Sequence, residues 1–165
     1  MKLHTAETYF PRIKWGADPE IFLRKGRYII GSEKVIPKSG LPLVVRDGVQ
    51  IELHPPASNS PRNLATGLSQ SFNTLQGHLR RYPGVGLCFD GLVEVTRREL
   101  DSLSEESRVL GCAPSLNIWG LKPIGVDAVK YRKRSAGGHI HIDLRGSLAY
   151  KSLELDYRAR LVPLM

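Results

Sequence analysis

The feature that most constrains the fold is the segment Arg134–Asp143, which reads RSAGGHIHID. Its alternation of aliphatic and polar residues predicts a β-strand, because successive side chains of a strand point to opposite faces of a sheet. Ile140 and Ile142 are therefore predicted to be buried. The opposite face is predicted to carry His139, His141 and Asp143.

Two glycines, Gly137 and Gly138, precede these histidines and remove side chains from the surface beside them. A bulky ligand therefore has close access to the main chain at this point. A half-buried strand whose polar residues face water explains the same pattern. The motif is thus a hypothesis that needs support from its surroundings.

A similar arrangement is predicted in residues 15–24, where Asp18 and Glu20 share one face and aliphatic residues occupy the other. Pro19 has no N–H to donate, so this strand is predicted to begin at a sheet edge or at a bulge. A turn at residues 25–27 then predicts a hairpin with the strand Tyr28–Ile30.

The segment Val49–His54 repeats the pattern, with Glu52 on the same face as its polar neighbours, and two prolines end it. Taken singly, Glu20 and Glu52 are better explained as solvated strand residues. Together with the histidine strand they predict one sheet surface that carries carboxylates and imidazoles. His54 lies beside the proline break, and we rank it below the other candidates.

A helix is predicted from Ser60, a favourable N-cap, through Pro61 at the first helical position to about Arg81. It is expected to cover the apolar side of the sheet and to leave His78 at the surface. Its apolar stripe is Leu64, Leu68, Phe72, Leu75 and Leu79.

Further elements are predicted after this helix. Residues 85–96 form a strand region, and a short helix follows over residues 104–110, with Ser102 and Glu105 at capping-box spacing. Another helix is predicted to begin near Ser147. The fold class is therefore α+β, with a mainly antiparallel sheet and helices packed on one face.

Converging carboxylates and imidazoles suit a divalent metal ion: oxygen-rich sets favour magnesium or manganese, and more histidine favours zinc or iron. A metal ion beside cationic side chains is what phosphoryl transfer from ATP requires. The sequence has no GxxxxGK[ST] loop, which argues against a P-loop nucleotide site, and no motif that proposes a nucleophile.

The net charge of +8 favours an anionic partner such as nucleotide phosphates, nucleic acid or an acidic substrate. The densest basic run, from Lys130 to Arg134, directly precedes the glycine–histidine strand. It is explained either as a solvated loop or as a phosphate contact. Because no aromatic residues interleave with it, binding of single-stranded nucleic acid is the weaker interpretation.

The length of 165 residues fits one domain, which we assign to residues 1–165. The sequence has no apolar run long enough to cross a membrane and no signal-peptide core at its N-terminus. Two cysteines, neither in a zinc spacing, are typical of a reducing compartment. We therefore expect a cytoplasmic protein.

In this order along the chain, four segments resemble the phage amidoligase-type 2 proteins, a carboxylate–amine ligase family with a glutamine synthetase-like fold. The resemblance covers roughly residues 15–146 and is carried by the following segments: Gly16–Glu20, Asp47–Glu52 with Pro55–Pro56, Gly111–Asn117, and Arg134–His141. The combination is far more specific than any one motif.

The resemblance implies a sheet with ATP and magnesium on one face and helices on the other. It also implies that an acyl phosphate formed from a carboxylate and ATP is attacked by an amine, with a small molecule or peptide as substrate. Glu20, Glu52 and one histidine, assigned as His139, would hold the metal. The catalytic set is Glu20, Glu52, His139 and His141, and the nucleotide set is Lys133, Arg134, Gly137 and Gly138.

Two features depart from the family pattern. Ala113 stands where an acidic residue is expected after Gly111–Cys112. Family members usually continue well beyond residue 165, so we expect a C-terminally truncated copy, either active or inactive. For a phage-encoded chain, the compartment would be the host cytoplasm. Two alternatives stay open: a basic nucleic-acid-binding protein on a degenerate ligase scaffold, and a metal-dependent hydrolase built on Glu52, His139 and His141.

Overall fold

The computed structural model describes residues 13–108 and 131–143, and it confirms a mixed α+β fold with mainly antiparallel strands. The strands are β1 (Lys14–Ala17), β2 (Glu20–Lys25), β3 (Tyr28–Ile30), β4 (Val44–Asp47), β5 (Gln50–Leu53), β6 (Val85–Cys88), β7 (Leu92–Glu94), β8 (Lys133–Ser135) and β9 (Ile140–Asp143). The helices are α1 (Pro61–Leu79), α2 (Arg97–Asp101) and α3 (Glu105–Arg108).

Strand β2 is the centre of the main sheet, whose order is β3-β2-β5-β4, with β6 also paired to β2. The predicted hairpin between β2 and β3 is confirmed: Lys25 lies opposite Tyr28 across a two-residue turn. Gly26 in that turn has a φ of +59°, which glycine adopts at no steric cost. Glu20 lies directly opposite Glu52 at the other end of β2.

The main sheet buries side chains on both faces. Neighbouring residues Phe22 and Leu23 point in opposite directions along β2, and both are fully buried. Burial of each side chain stabilises the fold by about 1.5–3 kcal/mol. Leu23 packs in the cluster that contains α1 residues, whereas Phe22 packs in a second cluster that contains Leu100 of α2. The long helix covers one face as predicted, and α2, which the sequence did not predict, covers the other.

Helix α1 begins at Pro61 as predicted, and its buried line consists of every fourth residue: Gly67, Ser71, Leu75 and Leu79. Gly67 belongs to this line because the prolines that end β5 press against it, and a Cβ there would lie 3.2 Å from the Cβ of Pro55. The prediction for His78 is wrong. Its side chain is half-buried, and its Nε2 atom lies 2.8 Å from the carbonyl oxygen of Val35.

Two of the three site-bearing segments form two strands each instead of one. Residues 15–24 divide into β1 and β2 at Asp18–Pro19, and the histidine segment divides into β8, paired with β7, and β9, paired with β1. Ile140, predicted to be buried, is 68% exposed. Among the described strands β9 pairs with β1 alone, so this two-stranded ribbon lies outside the main sheet.

The cap prediction near residue 104 is also wrong. The hydroxyl of Ser104 accepts the N–H of Ser107 at α3, whereas Ser102 ends α2. Thr96 caps α2 by accepting the N–H of Glu99 at 3.1 Å, a cap that the sequence analysis missed.

The Gly111–Asn117 segment, Ala113, Lys130 and the helix predicted near Ser147 lie outside the described residues. In the part of the chain that is described, no helix has the length and apolar character needed to cross a membrane.

Candidate functional site

The segments Asp18–Glu20 and Gly137–His139 lie side by side as an extension of the β1–β9 ladder. The N–H of Asp18 donates to the carbonyl of His139 at 3.2 Å, and that of Glu20 to the carbonyl of Gly137 at 3.0 Å. Pro19 therefore lies against Gly138, where a Cβ would be 3.0 Å from the Pro19 Cα. The close approach of the two chains explains why glycine occupies position 138.

Two carboxylates complete this pairing where a regular ladder would use carbonyl oxygens. The N–H of Gly137 donates to Glu20 Oε2 at 2.7 Å, and the N–H of His139 donates to Asp18 Oδ1 at 2.6 Å. Hydrogen bonds from an N–H to a charged carboxylate are stronger than those to a neutral carbonyl. Both carboxylates are thereby fixed against the main chain of the glycine–histidine segment.

Asp18 is the partner of both histidines. His141 Nε2 lies 2.7 Å from Asp18 Oδ2, and His139 Nδ1 lies 3.4 Å from Oδ1, with the ring centroids 6.1 Å apart. Burial alone would raise the pKa of Asp18, but the hydrogen bonds from His141 and from the His139 N–H, together with the imidazole charges, hold it below its usual value. The negative charge of Asp18 is thus compensated by groups within the protein.

Glu20 is in the opposite electrostatic situation. Burial raises the pKa of its carboxyl group, the hydrogen bond from Gly137 opposes that shift, and the negative charges of Asp47 and Glu52 raise the pKa further. The charge of His139 acts in the lowering direction, but the net shift is upward. Among the described residues, the Gly137 N–H is the hydrogen-bond donor to this carboxylate.

Glu52 and Asp47 lie on the same sheet face as Glu20, because residues paired across antiparallel strands share a face. His54 Nε2 lies 3.0 Å from Glu52 Oε2, so the residue that we ranked lowest contacts this carboxylate. The Gln50 amide donates to Asp47 Oδ2 at 3.3 Å. The surface at this end of β2 and β5, which we call the carboxylate centre, consists of Glu20, Glu52 and Asp47.

The sequence predicts Glu20, Glu52, His139 and His141 on one surface, and the structure brings them into one neighbourhood at the N-terminal end of β2. The importance of Asp18 was not predicted. The signal was present, because the Asp-Pro-Glu spacing put Asp18 on the same face as Glu20. What the pattern did not show is that Asp18 contacts the histidines directly.

Arg134 was predicted to contact phosphate, and this prediction is wrong. Its side chain is 4% exposed, and its guanidinium donates to the carbonyl oxygens of Arg108, Tyr131 and Lys133. Alternation along β8 buries Arg134 and leaves Lys133 exposed. Arg134 therefore holds the end of α3 to β8, and Lys133 is the member of this pair that solvent or a ligand can reach.

Whether this site suits a metal ion depends on the side chains of the carboxylate centre. Within residues 13–108 and 131–143, no group of three or more His, Cys, Asp or Glu side chains is arranged to hold a metal ion. Glu20 and Glu52 nevertheless offer two adjacent carboxylates, and Mg²⁺ is usually bound by one or two carboxylates with water completing its shell. His139 contacts Asp18, so its placement does not support the predicted metal ligand.

No protein-family model matches this chain, and neither the curated proteins nor the solved structures contain a significant match. The amidoligase resemblance therefore rests on the sequence motifs, and the ligase activity is a proposal.

Proposed function

We propose that this protein is an ATP- and magnesium-dependent carboxylate–amine ligase. The observation that carries the proposal is the carboxylate centre, where Glu20 and Glu52 are paired across β2 and β5 and the pKa of Glu20 is raised. Grouped carboxylates that repel one another are stabilised by a bound cation. The motifs that carry the amidoligase resemblance include both glutamates and the adjacent histidines.

In the proposed reaction, a carboxylate oxygen of the substrate attacks the γ-phosphorus of ATP, and ADP leaves. An amine then attacks the acyl phosphate carbon, phosphate leaves, and the nitrogen loses a proton to give an amide. Magnesium would supply positive charge beside the transferring phosphate. Glu20 and Glu52 are the residues proposed to hold it.

Other residues of this surface are proposed to bind and orient the substrates. A Cβ added at Gly137 would have no described atom within 4 Å, so the main chain beside this glycine is open to a nucleotide. Lys133 is the exposed cation nearest in sequence to the glycines. Asp18 is proposed to orient His139 and His141, whose side chains are 62% and 64% exposed, towards the substrate.

Calorimetric titration with ATP tests the nucleotide site. We expect ATP binding that requires magnesium and is lost in Glu52→Gln and Glu20→Gln, because each removes one of the two carboxylates that hold the ion. Glu105→Gln is the matched control, since Glu105 is exposed on α3 and its replacement removes the same charge elsewhere. ATP binding that is unchanged in both site variants would overturn the proposal.

Hydroxylamine trapping tests the chemistry itself. An acyl phosphate formed in the presence of ATP and a mixture of carboxylates is converted by hydroxylamine to a hydroxamate, which iron(III) detects by colour. Magnesium-dependent ATP binding without any hydroxamate would show that the protein activates none of the carboxylates supplied. Binding of DNA that falls steeply with salt and ignores Glu52→Gln would favour the nucleic-acid alternative. A ligase that consumes ATP is proposed to act in the cytoplasm, or in the host cytoplasm for a phage protein.

A further inference from the structure

A cleft lies at the opposite end of β2 from the carboxylate centre. Its volume is about 710 Å³, and it runs along β3 between that strand and helix α2. Its lining includes Lys25 at the end of β2, whereas Glu20 begins that strand. Five residues of extended chain span roughly 17 Å, so the cleft is a separate site and not part of the proposed reaction centre.

The free edge of β3 forms one wall of this cleft. In a hairpin with a two-residue turn, the residues that flank the turn exchange hydrogen bonds, so Lys25 bonds to Tyr28 and Leu23 to Ile30. The N–H and C=O of Ile29 therefore point away from β2. Gly31, two residues further on, has the same orientation, and its N–H donates to Glu99 Oε1 at 2.8 Å.

The outward main-chain groups of Gly31 and Ile29 differ in their partners. Those of Gly31 are bonded to Glu99 and to the Lys34 N–H. Within the described part of the chain, no residue hydrogen bonds to the outward N–H or C=O of Ile29. Ile29 is only 6% exposed, but it lines the cleft, and a strand edge whose main-chain groups have no described partner is able to accept another extended segment.

The charges that line the cleft are predominantly positive. Lys34 Nζ lies 2.6 Å from Glu99 Oε2, so the carboxylate of Glu99 is engaged by a lysine and by a main-chain N–H. Lys25 and Arg98 also line the cleft and are exposed, and neither makes an ion pair with any described residue. Two cations are thus directed to solvent beside an open strand edge.

Tyr28 supplies an apolar surface next to the same edge. Its ring is half-exposed, and the Arg27 guanidinium lies 4.9 Å from the ring centroid and donates to the phenolic oxygen at 2.7 Å. The half-exposed ring offers a face against which an aliphatic side chain packs. The cleft volume is within the range of sites that hold small ligands.

We propose that this cleft binds a short acidic peptide segment in an extended conformation. The N–H and C=O of one peptide residue pair with the C=O and N–H of Ile29, and the carboxylates of the peptide contact Lys25 and Arg98. An aliphatic side chain of the peptide packs on Tyr28. The main-chain groups require an amide, and the cations require negative charge, so a peptide with acidic residues meets both requirements where a simple anion meets one. The excess positive charge of the protein assists the approach of such a partner.

The test is a titration of the ¹⁵N-labelled protein with an acetylated glutamate–valine–glutamate tripeptide, followed by amide NMR. We expect a saturable shift of the Ile29 amide resonance. Arg98→Gln and Lys25→Gln should each weaken binding by about fivefold, the upper end for a solvent-exposed charge pair. Arg97→Gln is the matched control, because Arg97 is the neighbouring residue of the same charge and pairs with Asp101 at 3.0 Å.

Three outcomes would overturn the proposal. The first is equal affinity for the glutamine–valine–glutamine tripeptide, which would show that the cations are not used. The second is equal weakening by Arg97→Gln and Arg98→Gln, which would indicate non-specific screening by net charge. The third is an affinity for free phosphate or acetate that matches that of the peptide, since strand pairing would then contribute nothing.

Discussion

Asp18 and Glu20 are two residues apart, and each carboxylate accepts an N–H from the same glycine–histidine segment, yet their environments shift their pKa values in opposite directions. Two imidazoles contact Asp18 and hold its pKa low, although burial opposes that shift. Burial raises the pKa of Glu20, and the carboxylates Asp47 and Glu52 raise it further. The charge of Asp18 is balanced inside the protein, and that of Glu20 is not.

The difference teaches where an external cation is needed. A carboxylate with internal cationic partners stabilises the fold without a ligand. A carboxylate that faces two others destabilises the folded state until a proton or a metal ion neutralises the group. We therefore interpret Asp18 as the residue that organises the histidines, and the carboxylate centre as the place for an ion.

Removal of the Asp18 charge is expected to have the largest effect on stability. Asp18→Asn replaces charge-assisted hydrogen bonds from His141 and the His139 N–H with neutral ones, and we expect a loss of about 1.5–3 kcal/mol. For a chain of this size the melting temperature should fall by several degrees, at roughly 2–4 °C per kcal/mol. Thermal unfolding at neutral pH measures this change.

The control for this prediction is Asp90→Asn, because Asp90 also forms a short ion pair, to Arg24 at 2.7 Å, but lies on an exposed surface. Exposed pairs contribute at most about 1 kcal/mol. Equal melting temperatures of Asp18→Asn and Asp90→Asn would contradict the claim that the Asp18 charge stabilises the fold more than an exposed ion pair does.

Sequence reasoning succeeded where local patterns decide the structure. The β2–β3 hairpin follows from a glycine turn between alternating residues. Helix α1 follows from Pro61 at its first position and from its leucines, although the side chain of Ser60 makes no capping hydrogen bond. The sequence also predicted that Glu20 and Glu52 share a sheet surface, but not that they lie directly opposite each other. The hairpin and the helix depend on neighbours within a few residues, which a sequence shows directly.

It failed where distant segments meet. Arg134 belongs to a basic run that favours a phosphate contact, but alternation along β8 buries it against carbonyl groups of α3 and of its own segment. His78 looks like a surface residue until the carbonyl of Val35 packs against it. Ile140 looks buried, but its ribbon lies outside the main sheet. The contact of Arg134 with Arg108, the contact of His78 with Val35 and the position of the ribbon all depend on distant segments, which local patterns do not show.

Gly138 lies where the segments Asp18–Glu20 and Gly137–His139 approach each other most closely, and its replacement is expected to disturb both segments. A Cβ at Gly138 would lie 3.0 Å from the Pro19 Cα, a main-chain atom that moves only with the ladder, so Gly138→Ala should cost about 1–2 kcal/mol. Gly137→Ala is the matched control, because no described atom lies within 4 Å of the added methyl group. Thermal unfolding compares the two, and equal melting temperatures would contradict the close approach.

Neutralisation of Glu20 should give the smallest change and one of opposite sign. Because the pKa of Glu20 is raised in the folded protein, its ionisation disfavours folding at pH values above that raised pKa, and this cost disappears as the pH falls below the ordinary value of 4.5. Glu20→Gln should therefore stabilise the protein by about 0.5–1 kcal/mol at neutral pH, since it removes the repulsion but keeps an acceptor for the Gly137 N–H. Asp18 should show the reverse dependence. Its carboxylate stabilises the fold at pH values above the ordinary aspartate pKa of 3.8, and this stability is lost as the pH falls through the lowered pKa. The loss of stability in Asp18→Asn should therefore be largest at neutral pH. Unfolding by urea from neutral to acidic pH measures both profiles. A destabilised Glu20→Gln at neutral pH would mean that the Glu20 charge already has a partner within the protein, and the case for an external cation at this centre would then fail.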